Sequence, residues 1–68
     1  MNIRKYWGER IAEHREREGL SRAEFAARVD ITAEELAEIE AGKRRLEAKL
    51  ALKIADNLRV NPANLLFG

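Results

Sequence analysis

Two copies of one short signal, "SRAE" at Ser21 to Glu24 and "TAEE" at Thr32 to Glu35, stand eleven residues apart in this chain. In each, the hydroxyl residue can accept from the amide three residues on, while the glutamate reaches back to the hydroxyl residue's own amide. Two donors left open at a helix start are thereby satisfied. A helix that begins at Ser21 must therefore finish before Thr32, so two short helices follow one another with only a turn around Val29 to Ile31 between them. Helical spacing makes Phe25, Ala26 and Val29 the inward residues of the first, and Leu36 and Ile39, with Ala37 beside them, those of the second.

The flanking sequence continues in the same style. Pro occurs once, at Pro62, and Gly four times, while Ala, Leu, Glu, Lys and Arg dominate and β-branched residues are scattered, which is helix composition. A first helix is expected from about Ile3 to Glu18, with Ile3, Trp7, Ile11 and His14 on one face and Gly19 as a left-handed stop. Gly42 ends the helix that starts at Thr32, and "KRRLE" follows as an exposed basic loop. A fourth helix spans roughly Glu47 to Leu58 and buries Ala51, Ile54, Ala55 and Leu58. Asn61 before Pro62 is the start of a short fifth helix, "NPANLLF". Its Leu65, Leu66 and Phe67 exceed what so short a piece can bury, which makes Leu66 and Phe67 candidates for a dimer contact. The expected fold class is all-α: a compact five-helix bundle forming one domain over residues 1–68.

Size and charge narrow the function. The chain has 68 residues and no cysteine, so an apolar core or a partner must supply stability, as suits a reducing cytosol. No apolar run approaches the roughly 18 residues of a membrane span, and "MNIRKYWGER" lacks the apolar stretch of a signal peptide, so a soluble, cytoplasmic protein is expected. Thirteen Lys plus Arg against twelve Asp plus Glu leave a net charge of +1, which by itself does not argue for nucleic acid. The distribution is more telling. Residues 30–40 hold Asp30, Glu34, Glu35, Glu38 and Glu40 and no Lys or Arg, whereas residues 41–53 hold Lys43, Arg44, Arg45, Lys49 and Lys53 against Glu47 alone. A basic face is one reading, and a solvated surface of mixed sign has the same composition. His14 and Trp7 read as structural residues of the first helix, and His14 has no second ligand beside it for a metal. With one Ser, one Thr and one His, and both hydroxyls assigned to caps, no enzyme, cofactor, metal or small-molecule substrate is expected.

Taken together, "GERIAEHREREGLSRAEFAARVDITAEELAEIEAGKRR" and "LKIADNLRVNPANLL" resemble the lambda-repressor-like (Cro/cI, Xre-type) helix-turn-helix domains. The resemblance rests on Gly19-Leu20-Ser21, Phe25-Ala26, Ile39-Glu40-x-Gly42-Lys43, Ile54-Ala55-x-x-Leu58-x-Val60 and Leu65, in that order. It implies a sequence-specific transcriptional regulator, repressor-type, whose third helix enters the major groove of double-stranded DNA as one half of a homodimer on a two-fold operator. It further implies that Arg15 pairs with Glu40, that Arg22, Lys43 and Arg44, with Arg45 beside them, contact phosphate, and that Ala33, Glu34, Glu35 and Glu38 face the bases. Here the chain departs from the family, which commonly places Gln, Ser, Thr, Asn or Arg at these positions. Glu34 and Glu35 have a structural explanation in the helix dipole and the capping box, and Glu38 has none. Two accounts compete. Either Glu34 or Glu35 accepts from a cytosine amino group and Ala33 meets a thymine methyl, or the acidic helix stays out of DNA. The second account makes the chain a protein-interaction module or DNA mimic of this fold, and an engineered scaffold has the same Ala- and Glu-rich look.

Overall fold

A computed structural model describes residues 2–67. The chain runs through α1 (Ile3–Arg17), α2 (Arg22–Arg28), α3 (Ala33–Glu40), α4 (Ala48–Leu58) and α5 (Pro62–Phe67), with no strand among the described residues. Local chemistry sets nearly every boundary. Both capping boxes form: the Glu24 amide donates to Ser21 Oγ at 3.1 Å and the Ser21 amide to Glu24 Oε1 at 2.9 Å. In the second, the Glu35 amide donates to Thr32 Oγ1 at 3.0 Å and the Thr32 amide to Glu35 Oε1 at 3.3 Å. The bonds from Ser21 hold the Glu24 carboxyl below its ordinary range.

α1 stops where Gly19 turns left-handed at φ 72° and the Leu20 amide folds back on the Arg15 carbonyl at 3.2 Å. α3 stops the same way at Gly42, φ 76°, with the Lys43 amide on the Glu38 carbonyl at 2.9 Å. The ends of α2 and α4 repeat this geometry without glycine, at Asp30 and Arg59, both with φ 58°. α5 is too short to persist alone. Asn61 accepts from the Ala63 amide at its start, at 2.8 Å, and α1 supplies donors at its end. Arg10 donates to the carbonyls of Asn64 (2.7 Å) and Leu65 (3.1 Å), and the Trp7 indole to that of Leu66 (2.9 Å).

Ile11, Phe25, Leu36, Ile39, Ile54 and Leu65, drawn from all five helices, form the centre of one core. Its radius of gyration of 10.5 Å matches the value of about 11 Å for a folded chain of this length. Two expectations fail. Ile3, placed on the inward stripe of α1, is 42% exposed, because the first turn of α1 lies at the molecular edge. Leu46, placed in an exposed loop, is buried in the core, so the basic segment before it is tethered at its far end.

What fixes α3 is its contact with α1. A Cβ on Gly8 would overlap the carbonyl oxygens of Ile39 and Glu40, and one on Gly42 would come within 2.7 Å of the Lys5 Cα. The two helices therefore meet backbone to backbone at the C-terminal end of α3. Ala26, buried where α2 packs on α3, keeps that second crossing close.

Candidate nucleic-acid interface

Three helices converge on one carboxylate. Glu40, the last residue of α3, keeps only 3% of its side chain exposed. Its Oε2 accepts from Arg15 Nε at 2.7 Å, and its Oε1 from Arg15 Nη2 at 3.2 Å and from Arg22 Nε at 2.8 Å. Arg15 Nη1 also donates to the Leu20 carbonyl at 2.8 Å, closing the link between α1 and α2. The Arg15 guanidinium is held above its ordinary pKa chiefly by its hydrogen bond to Glu40. An anion at a helix C-terminus opposes the dipole, and the two arginines offset that cost.

With Leu36, Ile39 and Glu40 turned inward, α3 presents Ala33, Glu34 and Glu38 to solvent, with Glu35 half-buried. The acids of this segment are largely matched. Asp30 meets Lys53 Nζ at 3.2 Å, and Glu38 Oε1 accepts from Arg44 Nε at 3.1 Å and Nη2 at 2.9 Å. Arg44 Nη1 lies 3.9 Å from Glu35 Oε2. The hydrogen bond to Glu38 is the main cause that holds the Arg44 guanidinium above its ordinary pKa. Glu35 Oε1 is engaged by both the amide and the hydroxyl of Thr32. Among the described residues only Glu34 of the five acids lacks a cation within ion-pair distance.

The cations assigned to phosphate thus divide into two groups. Lys43 and Arg45 are exposed and form no ion pair among the described residues, whereas Arg44 is turned onto α3 and Arg22 shares Glu40 while its side chain stays 54% exposed. Arg45 and Lys49 also rim an open groove of about 480 Å³ over Val29, Ile39 and Leu50. At the end of α5, Phe67 is 73% exposed and meets the Trp7 ring edge-on at 6.3 Å, with Leu66 half-buried. His14 is half-buried on α1. Its pKa is lowered first by burial and then by Arg17 and Arg10, against a smaller opposing effect of Glu13.

Residues 11–65 match the family model described as helix-turn-helix. The chain belongs to the lambda-repressor-like helix-turn-helix family. In this helix-turn-helix domain α2 and α3 are the two helices of the motif. Its class is that of a DNA-binding transcription regulator, not an enzyme. Among solved structures, it is similar to the clp gene regulator ClgR from Corynebacterium glutamicum, with a TM-score of 0.90 and 22% identity over 94% of this chain and 68% of that one. A second ClgR structure gives a TM-score of 0.88, again at 22% identity, over 94% of this chain and 83% of that one. These two carry the fold alone. The restriction-modification controller protein C.AhdI from Aeromonas hydrophila is 28% identical, with a TM-score of 0.84 over 90% of this chain and 88% of that one. No curated protein sequence matches the chain significantly.

The pairing of Arg44 with Glu38 across the end of α3 escaped the sequence reading. Its one sequence signal is Gly42, since a left-handed turn there reverses the chain and returns residue 44 to the last turn of the helix. The contact of Lys53 with Asp30 joins α4 to the turn after α2 and has no local signal at all.

Proposed function

We propose that this helix-turn-helix domain is a cytoplasmic, repressor-type regulator that binds a two-fold operator as a homodimer, with α3 in the major groove. The observation that carries this reading is the compensation of the acids on and beside α3. Asp30 and Glu40 have cations of their own and Glu35 and Glu38 share Arg44, so that of the five acids of residues 30–40 only Glu34 has no cation within ion-pair distance among the described residues. That leaves about two uncompensated charges on α3, Glu34 and one shared by Glu35 and Glu38, each repelled by roughly 0.5 to 0.8 kcal/mol at about 5 to 8 Å from a phosphate in a water-like medium, which salt reduces further. Lys43 and Arg45, with the outer part of Arg22, stand ready to hold phosphates at the two ends of the motif. A DNA mimic needs its acids bare, and the same pairing speaks against that alternative.

Dimerisation is argued from the C-terminal face, where Phe67 stays exposed beside half-buried Leu66. C.AhdI, a controller protein, supports the regulatory role by analogy. The test is a titration with mixed-sequence duplex DNA at several salt concentrations. Phosphate contacts from Arg22, Lys43 and Arg45 predict that log Kobs falls against log salt with a slope of roughly −3 per protomer, at about −0.9 per contact. Absence of binding at tens of micromolar protein in low salt would sink the reading.

A further inference from the structure

The three carboxylates on the outer side of α3 are in different states, and the difference selects one of them. Glu35 is half-buried, with Oε1 held by the Thr32 amide and hydroxyl, so it belongs to the cap. Glu34 is exposed with no partner among the described residues, so docking would have to freeze its side chain and bring in its whole charge. Glu38 is held by one oxygen only. Arg44 Nε and Nη2 both donate to Oε1, and Oε2 accepts from no group among the described residues. The carboxylate is thus oriented and its charge compensated, yet one acceptor stays open. All three guanidinium nitrogens of Arg44 face carboxylates of α3, which is the wrong disposition for a phosphate anchor.

We propose that Glu38 is the base-reading residue of α3, selecting a cytosine, and that Arg44 is its positioning residue, acting through Glu38 and not on a phosphate; this rests on the DNA-binding reading above. An ionised carboxylate only accepts hydrogen bonds. In the major groove the cytosine amino group is a donor, whereas the adenine amino group has the N7 acceptor beside it, which would oppose the second carboxylate oxygen. Arg44 also offsets the repulsion between Glu38 and Glu34, one turn apart on the same face. A lysine at position 44 would supply the charge without the two-pronged grip.

Selection of duplexes from a randomised pool, with wild type, Glu38→Gln, Arg44→Ala and Arg44→Lys, tests the assignment. It is followed by affinities for the best site and its single-base-pair variants at fixed salt. Circular dichroism checks that each variant is folded, as the exposure of both side chains predicts. Wild type is expected to favour C·G at one position by on the order of tenfold. Glu38→Gln should move that preference toward A·T, since an amide can pair with both adenine N6 and N7. Arg44→Ala should lose the preference at the same position alone, have no such effect in the Glu38→Gln background, and not be rescued in selectivity by Arg44→Lys. An Arg44→Ala variant that weakens every sequence alike, with a salt slope smaller by about 0.9, would make Arg44 a phosphate contact and overturn the proposal. So would an unchanged base preference in Glu38→Gln. Wild type that binds no duplex overturns the proposal together with the reading beneath it, whereas the two preceding results defeat the inference alone.

Discussion

Glu40 carries negative charge to the end of α3 where the helix dipole least favours it, and the protein buries it there under two arginines. Removing one member of such a buried, hydrogen-bonded set leaves uncompensated charge, so Glu40→Ala is expected to cost about 3 to 5 kcal/mol in urea unfolding. A loss under about 1 kcal/mol would mean that the site is hydrated and the network weak. The family resemblance pairs Arg15 with Glu40, but nothing in the sequence brings in Arg22, which reads as a phosphate ligand at the start of α2. Its reach to Glu40 depends on how α2 crosses α3, a tertiary property. His14 gives a second prediction at this scale. Its folded pKa lies below the unfolded value of about 6.5, so its contribution is complete above that pH and is lost as pH falls through the folded value. The melting temperature should therefore drop between about pH 7.5 and 5.5. As His14 is the sole histidine, His14→Gln should flatten the profile there.

Helix starts were legible because their causes are local. Ser21 with Glu24, Thr32 with Glu35 and Asn61 with Pro62 act within three residues, and each forms as the sequence spells it. Crossings are another matter. Gly8 reads as an ordinary helix residue, yet it is where α1 touches the carbonyls of α3. In an isolated helix Gly8→Ala would be worth about 1 kcal/mol of added stability. Here the overlap is with backbone, which cannot rotate away, and a net loss of at least about 2 kcal/mol is expected in thermal or urea denaturation. A more stable variant would show that α1 can shift along α3. Leu46 was missed for a related reason, since a lone leucine after three cations carries no periodicity to reveal the core beneath it.

For the molecule as a whole, a net charge of +1 conceals an arrangement in which the acids beside the motif are answered by α1, α2, α4 and the segment after α3. Composition showed the two charge blocks, but only folding brings one against the other. The exposed C-terminal face gives a prediction at this scale. Phe67→Asp should convert a sedimenting dimer to monomer, at a cost to the monomer of roughly 0.5 to 1.5 kcal/mol from the lost edge-on contact with Trp7. Wild type that sediments only as monomer at high concentration would remove the dimer from the proposal. The bond from the Trp7 indole to the Leu66 carbonyl has a practical consequence of its own. Because Trp7 is the sole tryptophan, its emission is a built-in gauge of whether the last helix is seated, and unseating that helix should wet the ring and move the fluorescence maximum to longer wavelength before the remaining helices melt.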